Sequence, residues 1–186
     1  MSDYKIHDVD SAPEKSKPLL ENSQKGFGMI PNLHGVMAES PAVLDAYQKL
    51  TGLFQQTSFT KTEQHVIWLA INYTNNCHYC MPAHTGLAYM DDVDESIVGA
   101  LRDGKPIPDE KLEALRVFAT AMVGKRGVVS ESDVAAFHDA GYNQQHVLEV
   151  ILGVSHKVLS NYINHVAQTP VDEAFSKFAW EKDQAA

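Results

Sequence analysis

The sequence predicts an all-α fold, and three observations carry that prediction. Apolar residues recur at helical spacing in segment after segment between Ser40 and Val166. Capping residues stand in front of most of those segments. No glycine-rich phosphate loop and no alternation of strands with helices interrupts them.

The elements follow in chain order. Residues 1–30 are polar, with Pro13 and Pro18, and read as an irregular arm carrying one short helix. Ser40-Pro41 supplies an N-cap and a proline at the first helical position. Val43, Leu44, Tyr47, Leu50 and Leu53 recur behind it. Thr60 and Glu63 have the spacing of a capping box. Val66, Ile67, Leu69, Ala70, Ile71 and Tyr73 then predict a largely buried helix, which Asn75-Asn76 break. Trp68 on that apolar helix reads as a core residue. A short helix over about 93–102 ends near Asp103-Gly104. Leu112, Leu115, Phe118 and Met122 mark the next, closed by Gly124 to Gly127. Ser130 to Asp133 caps another. The last long helix runs from about Asn143 to Val166. Its Val147–Leu152 stretch is apolar on nearly all sides, so it is either central to the core or covered by a partner subunit. Gly153 permits close approach of a neighbouring helix. His138, His146, His156 and His165 are scattered along the last third of the chain and read as surface or capping groups.

Length and composition bound the function. The chain has 186 residues, enough for one domain with a sizeable core. Its 24 acidic against 15 basic residues give a formal charge of −9. That charge disfavours nucleic acid and anionic membrane surfaces as partners. No window approaches the roughly 18 apolar residues of a membrane span. The start, MSDYKIHDVD, lacks a basic region followed by an apolar run. The expected compartment is therefore the cytoplasm, where thiols stay reduced.

The only two cysteines, Cys77 and Cys80, carry the chemistry. If 77–84 is helical, Cys77, Cys80 and His84 share one face at i, i+3 and i+7. The break at Asn75-Asn76 puts both thiols in a first helical turn, where unpaired N–H groups and the helix dipole favour a thiolate. Two thiols at this spacing can close a disulfide, one attacking a substrate and the other resolving the product. His84 can take up or return the proton. Pro82 conflicts with a helix interior, where proline costs roughly 3 kcal/mol. The competing readings are half a zinc site, which lacks further cysteines, and a pair of inert core thiols. Helical flanks argue against a thioredoxin-type domain.

The stretch from Glu63 through Ile67-Trp68-Leu69-Ala70 to Asn76-Cys77-His78-Tyr79-Cys80-Met81-Pro82-Ala83-His84 resembles the carboxymuconolactone decarboxylase superfamily, and within it the alkylhydroperoxidase AhpD-like, peroxidase-related branch. Pro31-Asn32-Leu33, Ser40 to Leu44, and Gln144 to Asn164 extend the likeness over roughly residues 26–170. The resemblance implies an all-α, AhpD-like helical domain that assembles as a homo-oligomer, a trimer or hexamer. It implies a thiol peroxidase or disulfide oxidoreductase with Cys80 meeting the hydroperoxide, Cys77 resolving and His84 as the family histidine. It fits a role in antioxidant defence. No flavin or nicotinamide motif is visible, so the electrons are expected from an external dithiol or thiol protein, and no cofactor or metal is expected. The family relay glutamate would fall twelve residues before the first cysteine, and His65 stands there. Glu63 is the nearest glutamate and is also the capping-box residue. Either His65 or Glu63 is therefore the expected partner of His84. Tyr79 replaces the family histidine before the second cysteine and could donate to a thiolate or only pack. Two rival functions remain: a decarboxylase-like lyase on the same fold, whose branch generally lacks the cysteine pair, and a non-enzymatic redox-responsive binding protein.

Overall fold

The computed structural model describes residues 4–182, and among them every regular element is a helix. The first three residues of the expected arm lie outside the described residues. A short 3-10 turn, Glu14–Ser16, leads into α1 (Lys17–Phe27). Then come α2 (Asn32–Met37), α3 (Pro41–Gln55), α4 (Lys61–Thr74), α5 (Cys80–Met90), α6 (Glu95–Asp103), α7 (Glu110–Gly124), α8 (Glu131–Asp139) and α9 (Gln144–Ala167). A second 3-10 turn, Glu173–Phe178, packs against α5.

Capping chemistry sets most of these starts. Thr60, Ser130 and Asn143 each close a reciprocal capping box with Glu63, Asp133 and His146. Asp94 and Asp109 accept the N–H groups of Ser96 and Leu112. Ser40 occupies its cap position, but its side chain makes no cap bond; Pro41, at the first helical position, is pre-set for a helical φ. Gly104 ends α6 in the left-handed region, at φ 67°.

Helix α4 is the centre. It is buried from Glu63 through Asn72 and packs against α3, α5, α6, α7 and α9. Its close approach to α9 depends on Gly153. A Cβ there would lie 2.6 Å from Phe54 Cε2 and 2.9 Å from Ile67 Cγ2. Two apolar clusters result. The larger surrounds α4 and α7; the smaller joins Leu20, Leu33, Leu44 and Tyr47 to the two cysteines.

The structure changes or narrows several of these readings. The pair does not share one helix: Cys77 lies in the turn before α5, and Cys80 is its first residue. Pro82 is then third in the helix, where its missing N–H has little effect. The stretch 147–152 is not covered all round in the single chain, because Val150 is buried while Leu148 and Ile151 face outward. Leu53 likewise faces outward from α3. Finally, His156 is not a surface group. It is buried, accepting from Trp68 Nε1 at 3.2 Å and sitting 3.0 Å from Thr51 Oγ1.

Candidate active site

The turn after α4 delivers the thiols. Asn76 takes a left-handed conformation, φ 51°, which reverses the chain. The Cys77 N–H then donates to Asn72 O at 3.0 Å, and Met81 N donates to Cys77 O at 3.1 Å, starting α5. Both thiols are buried and unjoined. The Cys80 backbone N–H donates to Cys77 Sγ at 3.3 Å.

Helix α9 supplies the other wall. Lys157, Ser160, Asn161 and Asn164 all have essentially no solvent exposure. They recur at i, i+3, i+4 and i+7, so they form one polar stripe facing the cysteines. Asn164 Nδ2 lies 3.2 Å from Cys80 Sγ and 4.0 Å from Cys77 Sγ. Ser160 Oγ lies 3.9 Å from Cys80 Sγ. The amides also form a chain: Asn75 donates to Asn161, Asn161 to Asn72, and Asn72 to the carbonyl of Cys80. This chain locks the turn to α9.

The charge balance separates the two sulfurs. Burial pushes the Cys80 thiol up. The Cys77 thiol, the Lys157 ammonium, and the amides of Asn161 and Asn164 outweigh burial and hold Cys80 below the ordinary thiol range. Cys77 moves the other way, because its hydrogen bond to Cys80, its burial and the neighbouring negative charge all favour the neutral thiol. Burial lowers the Lys157 pKa, while the facing thiols pull it back up.

Lys157 was not among the residues singled out from the sequence. Its Nζ lies 2.7 Å from His84 Nε2. Burial and then the Lys157 charge keep His84 neutral. A lysine ammonium can only donate. His84 Nε2 is therefore the acceptor, and the ring hydrogen sits on Nδ1, which has no hydrogen-bond partner.

Neither expected relay residue bonds His84. His65 is buried and places Nε2 3.0 Å from Asp91 Oδ2. Its Nδ1 also lacks a partner. The Trp68 ring stands beside both imidazoles, with centroid separations of 5.4 Å to His65 and 5.0 Å to His84. Glu63 is engaged elsewhere. Its carboxylate accepts from the Thr60 N–H and hydroxyl, each at 2.9 Å, and from the Tyr142 hydroxyl at 2.9 Å, with Lys111 Nζ at 3.2 Å. Tyr79 does not donate to a thiolate. Its hydroxyl donates to Asp172 Oδ2 at 2.5 Å and accepts the Leu33 N–H at 3.2 Å.

His84 and Trp68 reach the wall of a cavity of about 440 Å³ that Tyr47, His65 and His156 also line, and to which neither cysteine contributes. Trp68 is thus both a core residue and a cavity wall. Tyr47 lines this cavity and also packs in the cluster that holds both cysteines. Among the described residues, no three His, Cys, Asp or Glu side chains converge as a metal site.

No protein-family model matches the chain, and no curated protein matches it. Solved structures do. The alkylhydroperoxidase AhpD core protein of Ralstonia eutropha JMP134, an uncharacterized peroxidase-related protein, superposes with a TM-score of 0.83 at 19% identity over 94% of each chain. An uncharacterized peroxidase-related protein from Silicibacter sp. TM1040 gives 0.78 at 18% identity, over 93% of this chain and 94% of that one. The debrominase Bmp8 in complex with 2,3,4-tribromopyrrole gives 0.77 at 14% identity over 94% of each. Identities this low speak to fold alone, and on that ground the chain has the AhpD-like fold.

Proposed function

We propose that this protein is a thiol peroxidase or closely related disulfide oxidoreductase in which Cys80 attacks, Cys77 resolves and Lys157 supplies the charge. One observation carries the reading: a fully buried lysine and a buried dithiol share one enclosed site, with an asparagine amide 3.2 Å from Cys80 Sγ. An isolated buried ammonium is costly, so Lys157 and the Cys80 thiolate stabilise each other's charge. The AhpD-like fold supports the reading. The same fold serves a debrominase, so the substrate that is reduced is set by the cavity and not by the fold.

The steps balance. Cys80 thiolate attacks the distal oxygen of a hydroperoxide and the O–O bond breaks. The alkoxide leaves as alcohol with the proton of Lys157, passed directly or through His84, and Cys80 becomes a sulfenic acid. The sulfur of Cys77 then attacks Cys80. Its proton departs with the hydroxyl as water, and the Cys77–Cys80 disulfide forms. An external dithiol or thiol protein returns two electrons and two protons. A pair that must be re-reduced at each turn fits the cytoplasm. The outward stripe of Leu148, Ile151, Tyr162 and Val166 on α9 supports a homo-oligomer. Glu63 is assigned a capping role, and His65 a place in the cavity wall.

The test is peroxide consumption with a dithiol reductant. Cys80→Ser should abolish turnover. Cys77→Ser should stop after one equivalent and leave a trappable sulfenic acid. Full activity in Cys80→Ser would end this reading.

A further inference from the structure

Cys80 is 1% exposed, yet the proposed chemistry brings a reagent to its sulfur. Something between Cys80 and solvent has to give way. The cavity of about 440 Å³ has no cysteine in its wall, but two of its lining residues reach through to the thiol site. His84 does so through Lys157 Nζ, 2.7 Å from its Nε2. Tyr47 does so through Ser160: the phenol hydroxyl faces the Ser160 hydroxyl, and Ser160 Oγ lies 3.9 Å from Cys80 Sγ. Tyr47 also packs in the apolar cluster that contains both cysteines. Tyr47 and His84 therefore form the partition between the cavity and the dithiol.

The residues of this wall are not equally fixed. His84 is bonded to Lys157, a buried charge. Trp68 and His156 are bonded to each other at 3.2 Å, and His156 Nε2 lies 3.0 Å from Thr51 Oγ1. The Tyr47 ring rests against His34 and His156, with centroid separations of 5.4 Å and 4.8 Å. Burial keeps its phenol neutral. Turning this ring gives up packing and a contact between two neutral hydroxyls, whereas moving His84 breaks the stronger bond to a cation.

We infer that the cavity is the entrance to the dithiol and that Tyr47 is its gate, so that the Tyr47 ring sets the size of molecule that reaches Cys80. Compact reagents pass beside the ring, and bulky ones wait for it to turn. The inference rests on the proposed function only in taking Cys80 as the thiol that reacts, and it holds whatever the substrate is.

The experiment uses the full chain carrying Cys77→Ser, in which Cys80 is the only thiol, and two maleimides, N-methyl and N-pyrenyl. The readout is the ratio of their alkylation rates. A change in Cys80 acidity moves both rates together and cancels, whereas a change in access does not. Tyr47→Ala should raise the pyrenyl-to-methyl ratio about tenfold, equivalent to about 1.4 kcal/mol of barrier. Tyr47→Phe keeps the ring and should leave the ratio unchanged. Gly52→Phe should lower the ratio, because Gly52 lines the cavity on α3 and a side chain there enters it. A Cβ at Gly52 meets nothing within 4 Å, and the helix gains propensity, so this variant keeps the fold. Leu33→Ala loosens the same cysteine cluster outside the cavity wall and should leave the ratio unchanged. A ratio that stays flat in Tyr47→Ala or in Gly52→Phe, or that rises as much in Leu33→Ala as in Tyr47→Ala, would overturn the inference. If Tyr47→Ala does not fold, Tyr47→Leu takes its place as a milder truncation under the same criteria. Peroxide consumption by wild type is measured separately. Ratios that move as expected in a chain that consumes no peroxide support the gate and count against the peroxidase reading instead.

Discussion

Lys157 Nζ stands 2.7 Å from Nε2 of His84. That contact makes the histidine a neutral acceptor and the lysine the cation of the site. In the proposed mechanism, the proton chemistry that the Cys-x-x-Cys-x-x-x-His pattern assigns to His84 would therefore begin one residue further back, on α9. The consequences for the thiols, the framework and the pH response can each be measured.

Tyr79 lies between the two cysteines in sequence and ties their turn to the C-terminal segment through Asp172. Asp172 is buried and otherwise accepts the Asn32 N–H at 2.8 Å. Tyr79→Phe leaves a buried carboxylate oxygen without its donor. We expect a loss of about 1–3 kcal/mol in urea unfolding. An unchanged midpoint would mean that the contact contributes nothing.

Gly153→Ala sets helix propensity against packing. Propensity favours alanine by about 1 kcal/mol. The added methyl meets Phe54 and Ile67 at distances no relaxed Cβ shows. Overpacking should win, with a net destabilisation of about 1–3 kcal/mol. A higher thermal midpoint in the variant would contradict the close α4–α9 approach.

Acid should destabilise the fold through buried histidines. Burial lowers His34 from 6.5 to about 4 in the folded chain. Between those values the unfolded chain holds the extra proton, so stability is full above about pH 6.5 and falls as pH drops toward 4. The contribution of this one residue is on the order of 3 kcal/mol. His84 and His156 act in the same direction. His34→Phe keeps the ring contacts with Phe27 and Tyr47. Its unfolding free energy should decline less steeply between pH 6.5 and 4. A slope equal to that of wild type would show that His34 is not held neutral.

Cys77→Ser separates the roles of the sulfurs. The remaining Cys80 loses a hydrogen-bonding thiol but keeps Lys157 and Asn164. Its reaction with one equivalent of iodoacetamide at neutral pH should persist, slower than in wild type by less than about tenfold. Cys80→Ser removes the hydrogen bond and the negative charge of Cys80 that raise Cys77, and leaves burial opposing the pull of Lys157; Cys77 should then be alkylated more slowly than Cys80 is in Cys77→Ser. Faster alkylation of Cys77 than of Cys80 would reverse the assignment.

Local chemistry made the helices legible. Thr60 with Glu63, Ser130 with Asp133, and Gly104 each announce a boundary within four residues of chain, and the structure places helix ends there. The dithiol was legible for the same reason. The position of Cys77 was not, because the start of α5 depends on the Asn76 turn and the bonds of Asn72, which arise from the docking of α9. His156 looked like a surface group because a lone histidine carries no periodicity; only the fold sets it against Trp68, 88 residues away in sequence. The Tyr79–Asp172 bond spans 93 residues and leaves no local trace. Lys157 did leave one. With Ser160, Asn161 and Asn164 it draws a polar stripe at helical spacing through an otherwise apolar helix, and polar residues on a buried face point to a site.

The most direct measurement is thiolate absorbance near 240 nm against pH, on wild type beside Lys157→Met and Cys80→Ser. Methionine matches the lysine chain in length and carries no charge, and replacing a buried charge with an apolar group of similar size is often tolerated. The account predicts a wild-type thiol titrating below the reference of about 8.5, absent in Cys80→Ser, and raised by roughly one to two units in Lys157→Met. A Cys80 pKa that is ordinary in wild type, or that does not move when Lys157 is replaced, would contradict it.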